Sequence, residues 1–140
     1  MRIVDTNVLL YAVNSTSRRH VVARRWLDGA LSGSEAVAIP WVCLLGFVRI
    51  STGRHWASSP LPLTVAMDIV DTWLARAVTL VPEPTRRHPA LLRGLLEEAG
   101  TAGNLTTDAH IAALALEHGA TVVSFDRDFL RFGVRLEVPY

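Results

Sequence analysis

The chain has 140 residues, half of them hydrophobic and 19% charged, with a formal net charge of +1. That length suits one folded domain with a sizeable core, and the composition excludes a disordered chain. Every basic residue is an arginine, which excludes a lysine base or lysine phosphate anchor, and a chain so near neutrality has no global field to draw in a polyanion.

In chain order, RIV (residues 2–4) is a short apolar run suited to a buried strand, and TNVLLYAV after it reads as a helical turn or two. Ser17 is placed to cap a helix reaching about Ala30, with Val21, Val22, Trp26, Leu27 and Ala30 as its apolar stripe. AVAI (36–39) reads as a second strand, and Pro40 opens a helix through WVCLLGFVRI. The stretch STGRHWASSPLP is a loop. A helix over about residues 64–77 leads into a third strand, VTLV (78–81), stopped by Pro82 and Pro84. PALLRGLLEEA is a further helix, closed by Gly100. Thr106 or Thr107 caps the helix DAHIAALALEHG, and Gly119 turns the chain into a fourth strand, TVVSF. The tail VRLEV is a candidate fifth, edge strand.

Short apolar strands alternating with helices predict an α/β fold: one domain over residues 1–140, with a mainly parallel sheet of four to five strands and helices on both faces. The pattern leaves the strand order open. No stretch is long and apolar enough to span a bilayer, and the acid at position 5 argues against a signal peptide, so the chain reads as cytoplasmic. A single cysteine, Cys43, makes neither an internal disulfide nor a cysteine-based zinc site.

In parallel sheets ligands bind beyond the carboxyl ends of the strands, and the aspartates fall there. Asp5 follows the first strand, Asp126 and Asp128 follow the fourth in VVSFDRDF, and Asp108 lies in the first turn of the helix before it. Singly, each is an ordinary turn or helix-end acid. Together they repel, and the usual remedy is a divalent cation. Oxygen-only donors point to Mg²⁺ or Mn²⁺ rather than zinc.

VDTNVLLYAV, the arginine in LLGFVRI, and TTDAHIAALALEHGATVVSFDRDF resemble the PIN-domain ribonucleases, specifically the VapC-type toxins of toxin-antitoxin pairs. The resemblance implies a PIN-like fold and a metal-dependent endoribonuclease that hydrolyses RNA phosphodiester bonds. It makes Asp5, Asp108, Asp126 and Asp128 the catalytic acids, with Asp5, Asp108 and Asp126 holding Mg²⁺ or Mn²⁺, and Asn7 and Ser124 in support. Arg49, Arg54 and His55 are candidate RNA-backbone contacts. Expected partners are RNA, a VapB-type antitoxin in a hetero-complex and a second copy of the chain, with Trp41, Phe47 and Trp56 lining an antitoxin groove. Trp56, in a loop, is a candidate for base stacking. Arg18, Arg19, Arg24 and Arg25 read as the wet face of the second helix.

One position departs from the family pattern. A glutamate is usual in the helix after the second strand, where this chain has Gly46. Glu35 is a poor replacement, lying before that strand and roughly 13 Å from Pro40. Two rival readings remain at this stage. A haloacid dehalogenase-like phosphatase also carries FDRDF-type acids at a strand end, but it sets them after an early strand and needs a lysine. A non-catalytic interaction module would use the acids as turn and cap residues.

Overall fold

The computed structural model describes residues 1–140. Five short strands make one sheet: β1 (Arg2–Val4), β2 (Val37–Ala38), β3 (Thr79–Leu80), β4 (Thr121–Val123) and β5 (Leu136–Glu137). All neighbours pair in parallel, in the order β3-β2-β1-β4-β5. The helices are α1 (Thr6–Val13), α2 (His20–Leu31), α3 (Trp41–Ser51), α4 (Leu63–Leu74), α5 (His88–Ala99) and α6 (Thr106–His118). Successive strand residues point to opposite faces, yet Ile3 and Val4 in β1 and Val122 and Val123 in β4 are all fully buried. Both faces of the sheet's centre are therefore covered, as continuous apolar strands require.

The strand order positions the site. From β1 the chain winds outward through β2 and β3, then crosses back to β4 and β5, so the order reverses between β1 and β4. Val4 is registered against Val123, and the residues that follow them, Asp5 and Ser124, leave the sheet side by side. α6 delivers a further acid to the same edge. Its buried residues run nearly all round, Ala109 and Ile111 through Ala115, so small side chains let it pack closely on several sides. Gly119 then ends it with φ 61°, in the left-handed region that favours glycine.

The hydroxyl caps expected at two helices are not made. Ser17 belongs to the turn before α2, where its Oγ accepts from the Arg19 N–H at 3.1 Å, and Arg19 occupies the cap position. A 3₁₀ turn over Gly103–Leu105 runs straight into α6, so Leu105 is already in helical conformation at the cap and neither Thr106 nor Thr107 caps. α4 ends at Leu74, three residues early, because a turn closed from Thr79 N–H to Arg76 O intervenes before β3.

A polar cluster that the apolar periodicity concealed joins α5 to α6. The Glu117 carboxylate, shut off from solvent, accepts from the Thr85 N–H (2.9 Å), the Thr85 hydroxyl (2.6 Å) and His88 Nδ1–H (2.7 Å). His88 Nε2 in turn lies 2.9 Å from His110 Nδ1.

Candidate active site

Asp5 caps α1 from the end of β1. Its Oδ1 accepts from the Thr6 N–H at 2.7 Å and its Oδ2 from the Ser124 hydroxyl at 2.6 Å. Ser124 is fully buried, and its Oγ also accepts from Asn7 Nδ2–H (3.0 Å) and the Asp126 N–H (2.9 Å). Those three bonds satisfy the hydroxyl completely. Asn7 Oδ1 takes the Phe125 N–H at 3.2 Å, and Asp126 Oδ1 takes the Asp128 N–H at 2.8 Å, which starts the 3₁₀ turn after β4. One network thus holds Asp5, Asn7 and the first residues beyond β4 in fixed relation.

Beside it opens a cavity of about 780 Å³ whose wall includes Asp5, Asn7, Gly46, Arg49, Asp108 and Asp126. Burial pushes the Asp108 carboxyl up to about 6, and the negative charges of Asp5, Asp126 and Asp128 push the same way. Asp5 is also held above the usual carboxylate range, by burial first and by Asp126 last, against the opposing hydrogen bonds from Ser124 and Thr6. None of the molecule's ion pairs includes any of the four aspartates. The cavity therefore concentrates negative charge, with three aspartates in its wall against one exposed arginine, Arg49.

The remaining predicted residues lie elsewhere. Asp128 is exposed and outside the wall, acting on Asp108 through its charge. Arg54 and His55 are exposed on the turn after α3, also outside the wall. Glu35 sits at the opposite end of the sheet, paired with Arg2 and the N-terminal amine. Two aromatic assignments need correcting. Trp56 is only 6% exposed and Phe47 is fully buried, so neither can line a groove or stack on a base. The turn after α3 folds the Trp56 indole inward, and Phe47 lies in α3's core-facing stripe, edge-on to Trp73 at 4.8 Å. Trp41, at 52%, is the exposed aromatic of the three. Thr6 and Thr107 also line the cavity and were not foreseen, though each adjoins a predicted acid.

Gly46 faces the cavity, and a Cβ built on it would lie 3.1 Å from both Cγ2 and Oγ1 of Thr6. The missing side chain thus reflects close packing of α3 on the start of α1, within the wall itself.

The donor set is wholly oxygen: carboxylates, an amide and threonine hydroxyls. Its excess negative charge fits a hard divalent cation such as Mg²⁺ or Mn²⁺. No three His, Cys, Asp or Glu side chains stand at the mutual spacing that grips an ion.

A parallel sheet with helices on both faces and an acidic cavity at its point of strand reversal defines the class: an α/β protein with an acid-lined site at its carboxyl edge. The sequence profile of the PIN domain matches residues 2–134. Ribonuclease VapC37 of Mycobacterium tuberculosis is 51% identical over 140 residues, covering 99% of this chain and 97% of the relative. Ribonuclease VapC33 of the same species is 36% identical over 132 residues, covering 94% and 92%. Among solved structures, VapBC2 from Rickettsia felis, bound to a promoter DNA fragment, superposes with a TM-score of 0.72 at 21% identity, covering 99% of this chain and 98% of that one. M. tuberculosis VapC20, described as a sarcin-ricin loop cleaving toxin, gives 0.68 at 20% identity, covering 96% of each. The chain belongs to the PIN-domain family, within its VapC ribonuclease branch.

Proposed function

We propose that this protein is the toxin of a VapBC-type toxin-antitoxin pair, a cytoplasmic endoribonuclease that hydrolyses RNA phosphodiester bonds with Mg²⁺ or Mn²⁺ at Asp5, Asp108 and Asp126. The observation that carries the reading is the convergence of these acids, from two strand ends and a helix start, on one cavity where Asp108 is raised to about 6. A site whose carboxylates repel one another and make no ion pair gains most from a divalent cation.

When bound, the cation polarises the scissile phosphate and makes an attacking water more acidic. The chain's own groups supply the rest. Ser124 and Thr6 fix the Asp5 carboxylate through both of its oxygens, so it meets a ligand with little reorganisation. Asp126 uses Oδ1 to start its turn and has Oδ2 left to orient the attacking water. Arg49 offers its guanidinium fork to the phosphate from the other wall. Asp128 lies at the rim and adds to the field.

The antitoxin reading rests on α3, which has two apolar faces. Cys43, Leu44 and Phe47 face the core, while Trp41 (52% exposed) and Leu45 (62%) face outward one turn apart. Leu45 and Ile50 continue into the cavity wall. An apolar segment of a VapB-type antitoxin laid there covers this surface and closes the site, and a homodimer covers further apolar surface. The test is total RNA incubated with the purified protein in Mg²⁺ and in chelator. Cleavage that stops in chelator is expected; intact RNA in Mg²⁺ rejects the nuclease reading, and cleavage that persists in chelator rejects the metal.

A further inference from the structure

Arg19 read from the sequence as part of a solvated helix face. The structure places it differently from its neighbour Arg18, which is exposed. The Arg19 guanidinium carbon lies 5.0 Å from the Phe125 ring centroid and 5.6 Å from that of Tyr11. The two rings meet edge to face at 5.4 Å. No carboxylate pairs with this guanidinium. It is oriented by ring faces instead, an arrangement that attracts a cation while leaving its N–H edge for another acceptor.

The rings are tied to the site. Phe125 stands between Ser124 and Asp126, and its N–H is held by Asn7 Oδ1. Tyr11 lies one helical turn beyond Asn7 on α1, and its carbonyl is 2.9 Å from the ring of His20, the residue after Arg19. The position relative to the acids follows from the strand order. Arg49 comes from the helix after β2, on one side of β1, whereas Arg19 sits over the residue that leaves β4, on the other side. A polyanion crossing the acids meets one arginine before them and one after.

We infer that Arg19, stacked on Tyr11 and Phe125, is a substrate-binding residue that grips an RNA phosphate flanking the scissile one, on the β4 side of the acid cavity. The inference rests on the nuclease reading. A planar guanidinium takes a phosphate through two parallel N–H bonds, and the rings that hold the fork in place reduce the freedom lost when it does so. Such a contact positions the backbone and carries no sequence information of its own.

The experiment has two arms that separate this inference from the nuclease reading. In the first, cleavage of a mixed-sequence single-stranded RNA is compared for wild type, Arg19→Ala, Arg19→Lys and Arg18→Ala, with a melting curve for each. Arg19→Ala should raise KM roughly tenfold with kcat nearly kept, Arg19→Lys should recover part of the loss, and Arg18→Ala should match wild type. In the second, binding of the same RNA is measured against salt in the cleavage-disabled Asp5→Asn protein, with and without Arg19→Ala. Loss of one phosphate contact on a single strand should make the slope of log K against log salt shallower by about 0.7. A wild type that cleaves, with KM and salt slope unmoved by Arg19→Ala, overturns the Arg19 contact and leaves the nuclease standing. A lowered melting temperature with an unchanged slope makes Arg19 structural only and also overturns it. A wild type that never cleaves removes the nuclease reading, while the binding arm still decides whether Arg19 touches RNA.

Discussion

Two acids at either end of α6 stand on opposite faces of that helix and behave in opposite ways. Glu117 near the end of α6 is closed off from solvent, and burial alone pushes its carboxyl up; hydrogen bonds from Thr85 and His88 together outweigh that and hold it below the ordinary range. Asp108, at the start of the same helix, is half exposed yet raised to about 6, because burial and three neighbouring aspartates act on it with no donor to oppose them. Burial therefore does not separate structure from function here. Between these two acids partnership does: Glu117, with its donors, ties α5 to α6, and Asp108 faces the cavity with no donor of its own.

The comparison breaks most sharply at Asp5. Asp5→Asn should reduce RNA cleavage roughly a thousandfold, several kcal/mol of barrier, with the protein still folded, since relief from one repelling charge offsets the loss of one of the two hydrogen bonds from Thr6 and Ser124. Wild-type cleavage rates from this variant would remove Asp5 from the site. Glu117→Ala is the counterpart. It takes the acceptor from the buried His88 Nδ1–H, while the exposed Thr85 can turn its donors to water, so it should cost about 1–2 kcal/mol of stability in a denaturant titration while the cleavage rate of the folded fraction stays close to wild type.

Between the two lies Ser124, buried like Glu117 but serving the acids. Ser124→Ala frees Asp5 Oδ2 and leaves Asn7 Nδ2 and the Asp126 N–H without their acceptor. Metal affinity or activity should fall by roughly 10- to 100-fold, measured as the Mn²⁺ concentration giving half-maximal cleavage.

The pH response sharpens the contrast through its sign. Asp108 has a folded-state value raised to about 6, so between the ordinary carboxylate range and pH 6 the folded metal-free protein holds the extra proton, and stability falls as pH rises through that window. Metal binding and cleavage, which need the ionised carboxylate, should rise with pH through about 6. Glu117 has the reverse sign. Its lowered value contributes stability above the unfolded-state range that is lost as pH falls. His110, lowered by burial first, adds stability as pH rises through the same window, so the Asp108 share is read as a difference: a wild type whose metal-free melting temperature climbs between pH 5 and 7 as steeply as that of Asp108→Asn would contradict the assignment.

The smallest expected effect is at Gly46. Placing a glutamate there adds a fifth carboxylate near the four, but its Cβ meets Thr6 at 3.1 Å. In a Thr6→Ser background, which removes the Cγ2 atom from that contact, Gly46→Glu should tighten Mn²⁺ binding a few-fold and lower the metal-free melting temperature. Unchanged metal affinity would mean the position packs but does not serve the site.

What was legible in the sequence was whatever depends on chain order. Apolar runs ending in Asp5 and in Ser124–Asp126 marked strand ends, and strand ends in a parallel sheet share an edge, so the acids could be grouped before the strand order was known. Exposure in loops and on helices with two apolar faces was not legible. Trp56 reads as a loop residue but is tucked under by the turn after α3, and Phe47 and Trp41, read alike as groove residues, part company on α3, one fully buried and the other exposed. Arg19 and Arg18 are indistinguishable as letters, and the rings of Tyr11 and of Phe125, the latter more than a hundred positions later, set them apart. The Thr85–Glu117–His88–His110 chain was hidden for the same reason, since its members come from separate segments that periodicity treats as solvated.

The most direct measurement of the central claim is the melting temperature of the purified chain titrated with Mn²⁺ or Mg²⁺, beside Asp108→Asn. An ion that binds only the folded state at about a hundred times its Kd adds about 2.7 kcal/mol, a rise of roughly 5–10 °C for a chain of this size. The account predicts that rise in the wild type, and an Asp108→Asn protein that starts higher without metal and responds weakly. A wild type whose melting temperature ignores both ions would contradict it.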